Sequence, residues 1–157
     1  MIKLKLLTLV FAVVIFSSCN KDNKIEMNES DYLIFGHFYG ECVGEECVET
    51  FMLTDKKLYE DLNDKYSGRE QYHFIELKNG EYAEVKDLVD FFPSELWNEN
   101  VTTFGCPDCI DQGGLHIEYK KDGVFKTWRI DQSKNDVPAY LHNFMDKINE
   151  KIGLINN

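Results

Sequence analysis

Four cysteines in two close pairs are the residues of this chain best suited to carry chemistry. Cys42 and Cys47 are separated by four residues, and Cys106 and Cys109 by two. Thiols at these spacings can pair as structural disulfides, hold zinc as four thiolates, or carry out thiol–disulfide exchange through a Cys-x-x-Cys motif. The compartment in which the protein works decides among the three, because oxidising compartments favour disulfides.

The N-terminus predicts export and a lipid anchor. Residues 1–18 begin with the basic sequence Met-Ile-Lys-Leu-Lys, continue with the apolar stretch Leu6–Phe16 and end in two serines. This order is typical of a signal peptide, and the apolar stretch is only about half of the roughly 20 residues that span a bilayer. Two small residues directly before Cys19 resemble the lipobox of bacterial lipoproteins, in which this cysteine becomes the lipidated first residue. We therefore expect a lipoprotein signal peptide over 1–18 and lipidation at Cys19.

An exported location makes two disulfides the first expectation. Four cysteines allow three connectivities, and a bridge between the pairs would close a longer loop and stabilise more. We predict the local pairs, Cys42 with Cys47 and Cys106 with Cys109. Strands on both sides of 43–46 would place Cys42 and Cys47 opposite each other, and turn geometry presents each pair without bringing distant loops together.

Two other interpretations of the same cysteines stay open. Two close pairs brought together from separate loops could form a tetrathiolate zinc site. Alternatively, Cys106-Pro107-Asp108-Cys109 looks like a thioredoxin-type motif, in which a helix N-terminus lowers the pKa of the first thiol. The residues after Cys109 include two glycines and predict a turn and a strand, whereas the redox motif requires a helix.

The elements that position these cysteines indicate an α+β domain with a mostly antiparallel sheet and two helices. Strands are predicted over 31–41, 48–53 and 71–77, with a hairpin turn at Thr54–Lys57. Apolar spacing predicts one helix over 81–92 and a C-terminal amphipathic helix over 137–152, packed on the sheet, with Pro138 in its first turn and Gly153 past its end. Asp122-Gly123 predicts a two-residue hairpin in which Leu115 faces Ile130 and Ile117 faces Trp128, with His116 and Glu118 on the wetter face.

Length and charge set limits on organisation and partners. The chain has 157 residues, of which 43% are hydrophobic, enough for one domain with a real core. We assign residues 19–30 to the lipidated cysteine and a polar, flexible tether, and residues 31–157 to the domain. The formal net charge of −11 argues against nucleic acid as a partner and against charge-driven binding to an anionic bilayer. Membrane contact is instead expected through the lipid anchor.

Other sites of catalysis or metal binding are not indicated by the sequence. It contains no Gly-x-Ser-x-Gly elbow, phosphate loop or dinucleotide fingerprint. The histidines lack ligand-like spacing, so we interpret each as a surface residue or as satisfied within the fold, and we expect no cofactor. Asp108 and Asp111 beside glycines are interpreted as turn residues, since the loop lacks the residue order of a calcium-binding EF-hand.

The run Gly105-Cys106-Pro107-Asp108-Cys109, taken with the other cysteine pair, Trp128-Arg129-Ile130-Asp131 and the closing helix, resembles a group of uncharacterised small lipoproteins of Bacteroidota. The resemblance covers nearly all of the chain after the signal peptide. It implies the architecture and a cell-envelope location, most simply the outer membrane, and it carries no activity. The sequence thus predicts a lipid-anchored envelope protein that acts without catalysis, by binding or by structural interaction with an envelope protein or ligand. The alternatives are a thiol oxidoreductase or a zinc-binding module.

Overall fold

The computed structural model describes residues 27–65 and 72–157, which form the predicted α+β domain. Seven strands form one sheet in the order β4-β3-β2-β1-β6-β7-β5. The strands are β1 (Tyr32–Phe38), β2 (Val48–Leu53), β3 (Leu58–Asp61), β4 (Phe74–Glu76), β5 (Thr103–Phe104), β6 (Gly114–Lys121) and β7 (Val124–Asp131). The α-helices are α1 (Asn79–Val85), α2 (Ser94–Asn98) and α3 (His142–Ile155). Short 3-10 helices cover Glu45–Cys47, Leu88–Phe91, Lys134–Asp136 and Ala139–Leu141.

The sheet is mostly antiparallel, as predicted, with β1 at its centre between β2 and β6. The β6–β7 hairpin has the predicted register: Leu115 pairs with Ile130, Ile117 with Trp128 and Lys121 with Val124. Both glycine and aspartate of its turn have positive φ, which is the geometry that Asp-Gly turns favour. The short strand β5 is parallel to β7 and was not predicted.

The hydrophobic core lies on one face of the sheet, beneath α1, α3 and the segment between α1 and α2. Phe92 is the centre of an aromatic cluster, with its ring 4.9 Å from Tyr119, 5.4 Å from Phe144 and 5.8 Å from Trp128, measured between centroids. The contacts with Tyr119 and Phe144 are edge-to-face, a geometry that adds to the stability gained by burying apolar area. Helix α3 contributes its predicted apolar face, and its buried residues are Phe144, Met145, Ile148, Lys151 and Ile152.

The single helix predicted over 81–92 is wrong, because the segment forms α1 and then a separate 3-10 helix. Lys151, nearly buried on α3, donates a hydrogen bond of 2.6 Å to the backbone carbonyl of Glu84 and lies 2.8 Å from a carboxylate oxygen of Asp87. In a continuous helix that carbonyl would accept the amide of Leu88. The Lys151 ammonium group thus hydrogen-bonds to a carbonyl of the last turn of α1, at the point where the helix ends.

The helices differ from the sequence-based prediction in two further ways. A third helix, α2, follows Pro93 and buries Leu96, so the described residues contain three α-helices instead of two. The C-terminal α-helix begins at His142 after a 3-10 turn and continues through Gly153, since Ile155 still packs against the core. None of the helices in the described ranges is both long enough and apolar enough to cross a bilayer.

Residues 27–30, which are part of the predicted tether, contact the domain. Met27 packs against the core, and the backbone amide of Asn28 donates a 3.0 Å hydrogen bond to buried Asp31. Asp31 also accepts the backbone amide of Asp122, and the Asn28 side chain donates to the carboxylate of Asp122 over 2.8 Å. The described N-terminal segment is therefore fixed beside the β6–β7 turn.

Candidate functional site: two disulfide loops at one end of the sheet

Both cysteine pairs are joined locally in the structure. Cys42 is bonded to Cys47, Cys106 to Cys109, and the Cα atoms are 5.5 Å apart in each pair. The first bond closes the loop between β1 and β2, and the second lies in the loop between β5 and β6. Because β1 ends where β6 begins, both loops lie at the same end of the sheet. We call residues 39–47 and 105–113 the disulfide loops.

The first disulfide loop is an extension of the β1–β2 hairpin. The backbone amide of Tyr39 donates to the carbonyl of Cys47 over 2.8 Å, so pairing continues one step beyond the strands. His37 lies 3.0 Å from a carboxylate oxygen of Glu49 and 3.0 Å from the carbonyl of Glu46. These contacts satisfy His37 within the hairpin, as the sequence predicted for the histidines.

The second disulfide loop is a tight turn held by its own side chains. The backbone amide of Cys109 donates to the carbonyl of Cys106 over 3.1 Å, and the Gln112 side chain donates to the same carbonyl over 2.9 Å. Asp108 accepts the backbone amide of Gly113 over 3.0 Å. Asp108 and Asp111 have φ of 64° and 63°, a region in which aspartate is tolerated better than most residues. This supports the interpretation of both aspartates as turn residues.

Asp131, at the end of β7, fixes the second loop to the sheet. Its buried carboxylate accepts the backbone amides of Cys106 and Ser133, both over 2.8 Å, and the side chain of Gln112 over 3.0 Å. Burial alone would raise the pKa of Asp131, but the hydrogen bonds from Ser133, Gln112 and Cys106 outweigh it, and the pKa lies below its ordinary value of 3.8. The carboxylate therefore remains charged and holds the loop at neutral pH.

The two disulfide loops contact each other. The backbone amide of Gly40 donates to the carboxylate of Asp108 over 2.7 Å. Gly113 lies against the ring of Tyr39 so closely that an added Cβ would come within 2.2 Å of a ring carbon. Tyr39 is partly covered, and this burial raises the pKa of its hydroxyl above the ordinary value. The loops thus form one unit in which a glycine is required at the contact.

The surroundings of the Cys106–Cys109 bond favour a structural role. The sulfur pair is exposed, but a turn and then β6 follow Cys109, so the described residues place no helix N-terminus there. The carboxylates of Asp108 and Asp131 lie in or against the loop, and negative charge nearby disfavours a thiolate. Both conditions differ from those that activate the first thiol of a redox motif.

A zinc site would require both disulfides to be reduced, since all four sulfur atoms are already bonded in pairs. Among residues 27–65 and 72–157, no group of three or more His, Cys, Asp or Glu side chains is arranged to hold a metal ion.

A buried polar cluster on the second face of the sheet was not predicted. His116 and Glu118, on β6, are 7% and 3% exposed, although the alternation pattern assigns them to the wetter face. Their side chains lie 3.0 Å apart, and the Tyr72 hydroxyl is 3.1 Å from each of them. The hairpin register placed both residues on one face, but the covering residue comes from the β3–β4 connection, which the local pattern does not reveal. The three side chains provide hydrogen-bond partners for one another, and Tyr72 joins the β3–β4 connection to the sheet.

The tips of both disulfide loops expose aliphatic side chains. Val43 is 104% exposed and Ile110 is 81% exposed, the two highest values among the large exposed hydrophobic residues described. Side chains of this kind gain free energy when a partner covers them.

Comparison with known proteins does not assign this chain to a family: no protein-family model matches it, and no curated protein does. Cys19, the predicted lipidation site, lies outside the described residues.

Proposed function

We propose that this protein is a lipid-anchored component of the bacterial cell envelope that acts by binding and not by catalysis. The observation that carries the proposal is the position of the described N-terminal segment, at the end of the sheet opposite the disulfide loops. A lipid on Cys19 would hold the protein by one end and leave the other end available to a partner.

The two ends are separated by the length of the central strands. Asp31 precedes β1 and bonds to the β6–β7 turn, whereas β1 ends at Phe38, directly before the first disulfide loop. Seven residues of extended strand cover about 20 Å. Cys19 precedes Met27 by eight residues, which can reach at most about 28 Å. A lipid on Cys19 would therefore be attached through the end of the domain beside Asp122, with the disulfide loops at the opposite, distal end of the sheet.

The polar groups in and beside the disulfide loops support binding over catalysis. Asp108, Gln112 and Asp131 all hydrogen-bond to backbone or to each other and hold the loops in place. A catalytic acid or base must be positioned toward a substrate, with a pKa near the working pH. The lowered pKa of Asp131 is instead that of a structural carboxylate.

The anchor is tested by mass spectrometry of the protein purified from bacterial membranes. We expect the first residue to be Cys19 carrying acyl chains, and we expect Cys19→Ser to abolish acylation and to shift the protein into the soluble fraction. Several acyl chains together make membrane attachment stable, at about 0.8 kcal/mol per buried methylene. An intact first methionine without lipid, or membrane retention of Cys19→Ser equal to that of the wild type, would contradict the proposal.

A second candidate function, thiol–disulfide exchange, is supported by the exposure of Cys106 and Cys109. An insulin-reduction assay tests it, with Cys106→Ser as the variant and Cys42→Ser as the matched control. If Cys106→Ser abolishes turnover of insulin and Cys42→Ser does not, the exchange activity is established. A bond with a potential below about −300 mV would exclude it.

A further inference from the structure

We propose that the distal end of the domain is a protein-docking surface for a basic partner, which the tips of the two disulfide loops contact with Val43 and Ile110. The orientation of this surface away from the membrane rests on the proposed lipid anchor, whereas its chemistry follows from the described loops alone. We call it the tip surface; its residues are Glu41, Val43, Glu46, Ile110 and Asp111.

The apolar part of the tip surface is held in place before binding. Single exposed aliphatic residues are common on protein surfaces, but Val43 lies between two bonded cysteines. Ile110 directly follows the bonded Cys109, and its backbone amide donates to the side chain of Gln112 over 2.8 Å. The loops are joined through Gly40 and Asp108, which lie three and two residues from the tips. The tips are therefore no more than about 25 Å apart, within the width of one standard interface. Binding then costs little conformational entropy.

The charged part of the tip surface selects the partner. The disulfide loops contain three glutamates and two aspartates, and neither loop contains a lysine or an arginine. Glu41, Glu46 and Asp111 are exposed at the tips. Loops with acidic side chains and no basic ones favour a partner of the opposite sign over nucleic acid and anionic lipid. The aliphatic tips require apolar pockets in the partner, which a folded protein or an amphipathic segment provides.

Binding of a defined peptide by the full chain tests this proposal. The probe is a fluorescent peptide of sequence Lys-Leu-Lys-Lys-Leu-Lys, and its acidic counterpart Glu-Leu-Glu-Glu-Leu-Glu is the control. We expect anisotropy to show binding of the basic peptide only, weakened by salt, and NMR to show shifts at the Val43 and Ile110 amides. V43S with I110S should weaken binding about tenfold or more, and E41Q with E46Q should weaken it and reduce its salt dependence.

Matched variants at other positions test whether binding requires the tip surface or follows from any exposed apolar or acidic side chain. Val124, 51% exposed at the β6–β7 turn, gives V124S as the apolar control, and the exposed pair Glu84 and Asp90 gives E84Q with D90N as the charge control. Neither control should change binding. Equal binding of both peptides, or equal losses in the tip and control variants, would overturn the proposal.

Two further measurements distinguish the docking proposal from the lipid-anchor proposal and from insertion of the tips into a membrane. The Cys19→Ser full chain should bind the basic peptide as the acylated protein does, so that failure of acylation leaves the tip surface intact. If Cys19→Ser floats with phosphatidylcholine vesicles and V43S with I110S abolishes the flotation, the tips insert into lipid and the docking proposal is wrong.

Discussion

The carboxylate of Asp108 and the backbone amide of Gly40 form a 2.7 Å hydrogen bond between residues 68 positions apart in the sequence. The same carboxylate accepts the amide of Gly113 within its own loop. One side chain therefore fixes the shape of the second disulfide loop and joins it to the first. The two loops are joined by this carboxylate and by the contact of Gly113 with Tyr39, without a covalent bond between them.

Asp108→Asn is expected to lower the free energy of unfolding by about 1–2 kcal/mol, because an amide has one acceptor oxygen where the carboxylate has two. Amide hydrogen exchange at Gly40 and Gly113 should accelerate. Asp111→Asn is the matched control, since exposed Asp111 has nearly the same φ. Equal exchange rates in the two variants would show that the loops are not joined through Asp108.

Asp131→Asn is expected to destabilise the protein by about 1.5–3 kcal/mol at neutral pH, since a charged acceptor is lost from three hydrogen bonds. The folded-state pKa of Asp131 lies below the unfolded value, so its contribution is present above that value and is lost as the pH falls through the folded pKa. Urea unfolding between about pH 2 and 6 should therefore show a smaller loss toward acid in Asp131→Asn than in the wild type. Asp136→Asn, at an exposed position, is the matched control.

Gly113→Ala and Gly123→Ala form a matched pair, because their φ values are 75° and 79°. Both should lose about 1 kcal/mol from the left-handed backbone. Gly113→Ala should lose about 1–3 kcal/mol more, because its Cβ meets the ring of Tyr39, whereas nothing lies within 4 Å of a Cβ at position 123. Thermal denaturation of both variants measures the difference. Equal losses would mean that the contact between the loops can relax without cost.

The sequence predicts the fold best where local chemistry and long-range packing agree. The Asp122-Gly123 turn sets the register of the β6–β7 hairpin, and each apolar pair then falls on the core face. Prediction failed for the segment after Val85, where the spacing fits one helix but Lys151 of another helix takes the carbonyl of Glu84. Such a contact between residues 67 positions apart leaves no trace in local periodicity.

The candidate site was predicted only in part, because the sequence reveals local contacts but not contacts between distant segments. Spacing and turn geometry predicted the Cys42–Cys47 and Cys106–Cys109 bonds, which depend only on neighbouring residues. The bond from Gly40 to Asp108 joins separate loops, so the sequence gives no signal for it. Burial of His116 and Glu118 likewise depends on Tyr72, which reaches the sheet from the β3–β4 connection.

Tyr119→Phe is expected to leave the stability at neutral pH unchanged or raised by up to about 1 kcal/mol. The Tyr119 hydroxyl is buried and has no hydrogen-bond partner in the structure described for 27–65 and 72–157. Burial, with the negative charges of Asp31 and Asp122, raises the pKa of Tyr119 from 10.0 to about 12. The unfolded state therefore ionises first, and the stability of the wild type falls as the pH rises from 10.0 toward 12. Tyr119→Phe lacks this loss and should unfold less readily than the wild type in alkali. Tyr59→Phe, at a partly exposed position of β3, is the control.

Removal of each disulfide should destabilise the protein without unfolding it. Replacing Cys42 and Cys47 with alanine should cost about 2 kcal/mol from loop entropy, and replacing Cys106 and Cys109 slightly less, because the loop is shorter. The fold should survive both changes, since its core lies on the sheet face beneath the helices and Asp131 still holds the second loop through the Cys106 amide. Urea unfolding of the two double variants measures the costs, and peptide mapping without reductant confirms the pairing. Peptides that join Cys42 or Cys47 to Cys106 or Cys109 would contradict the local pairing. A loss of stability far above about 2 kcal/mol would likewise mean that a bridge closes a long loop.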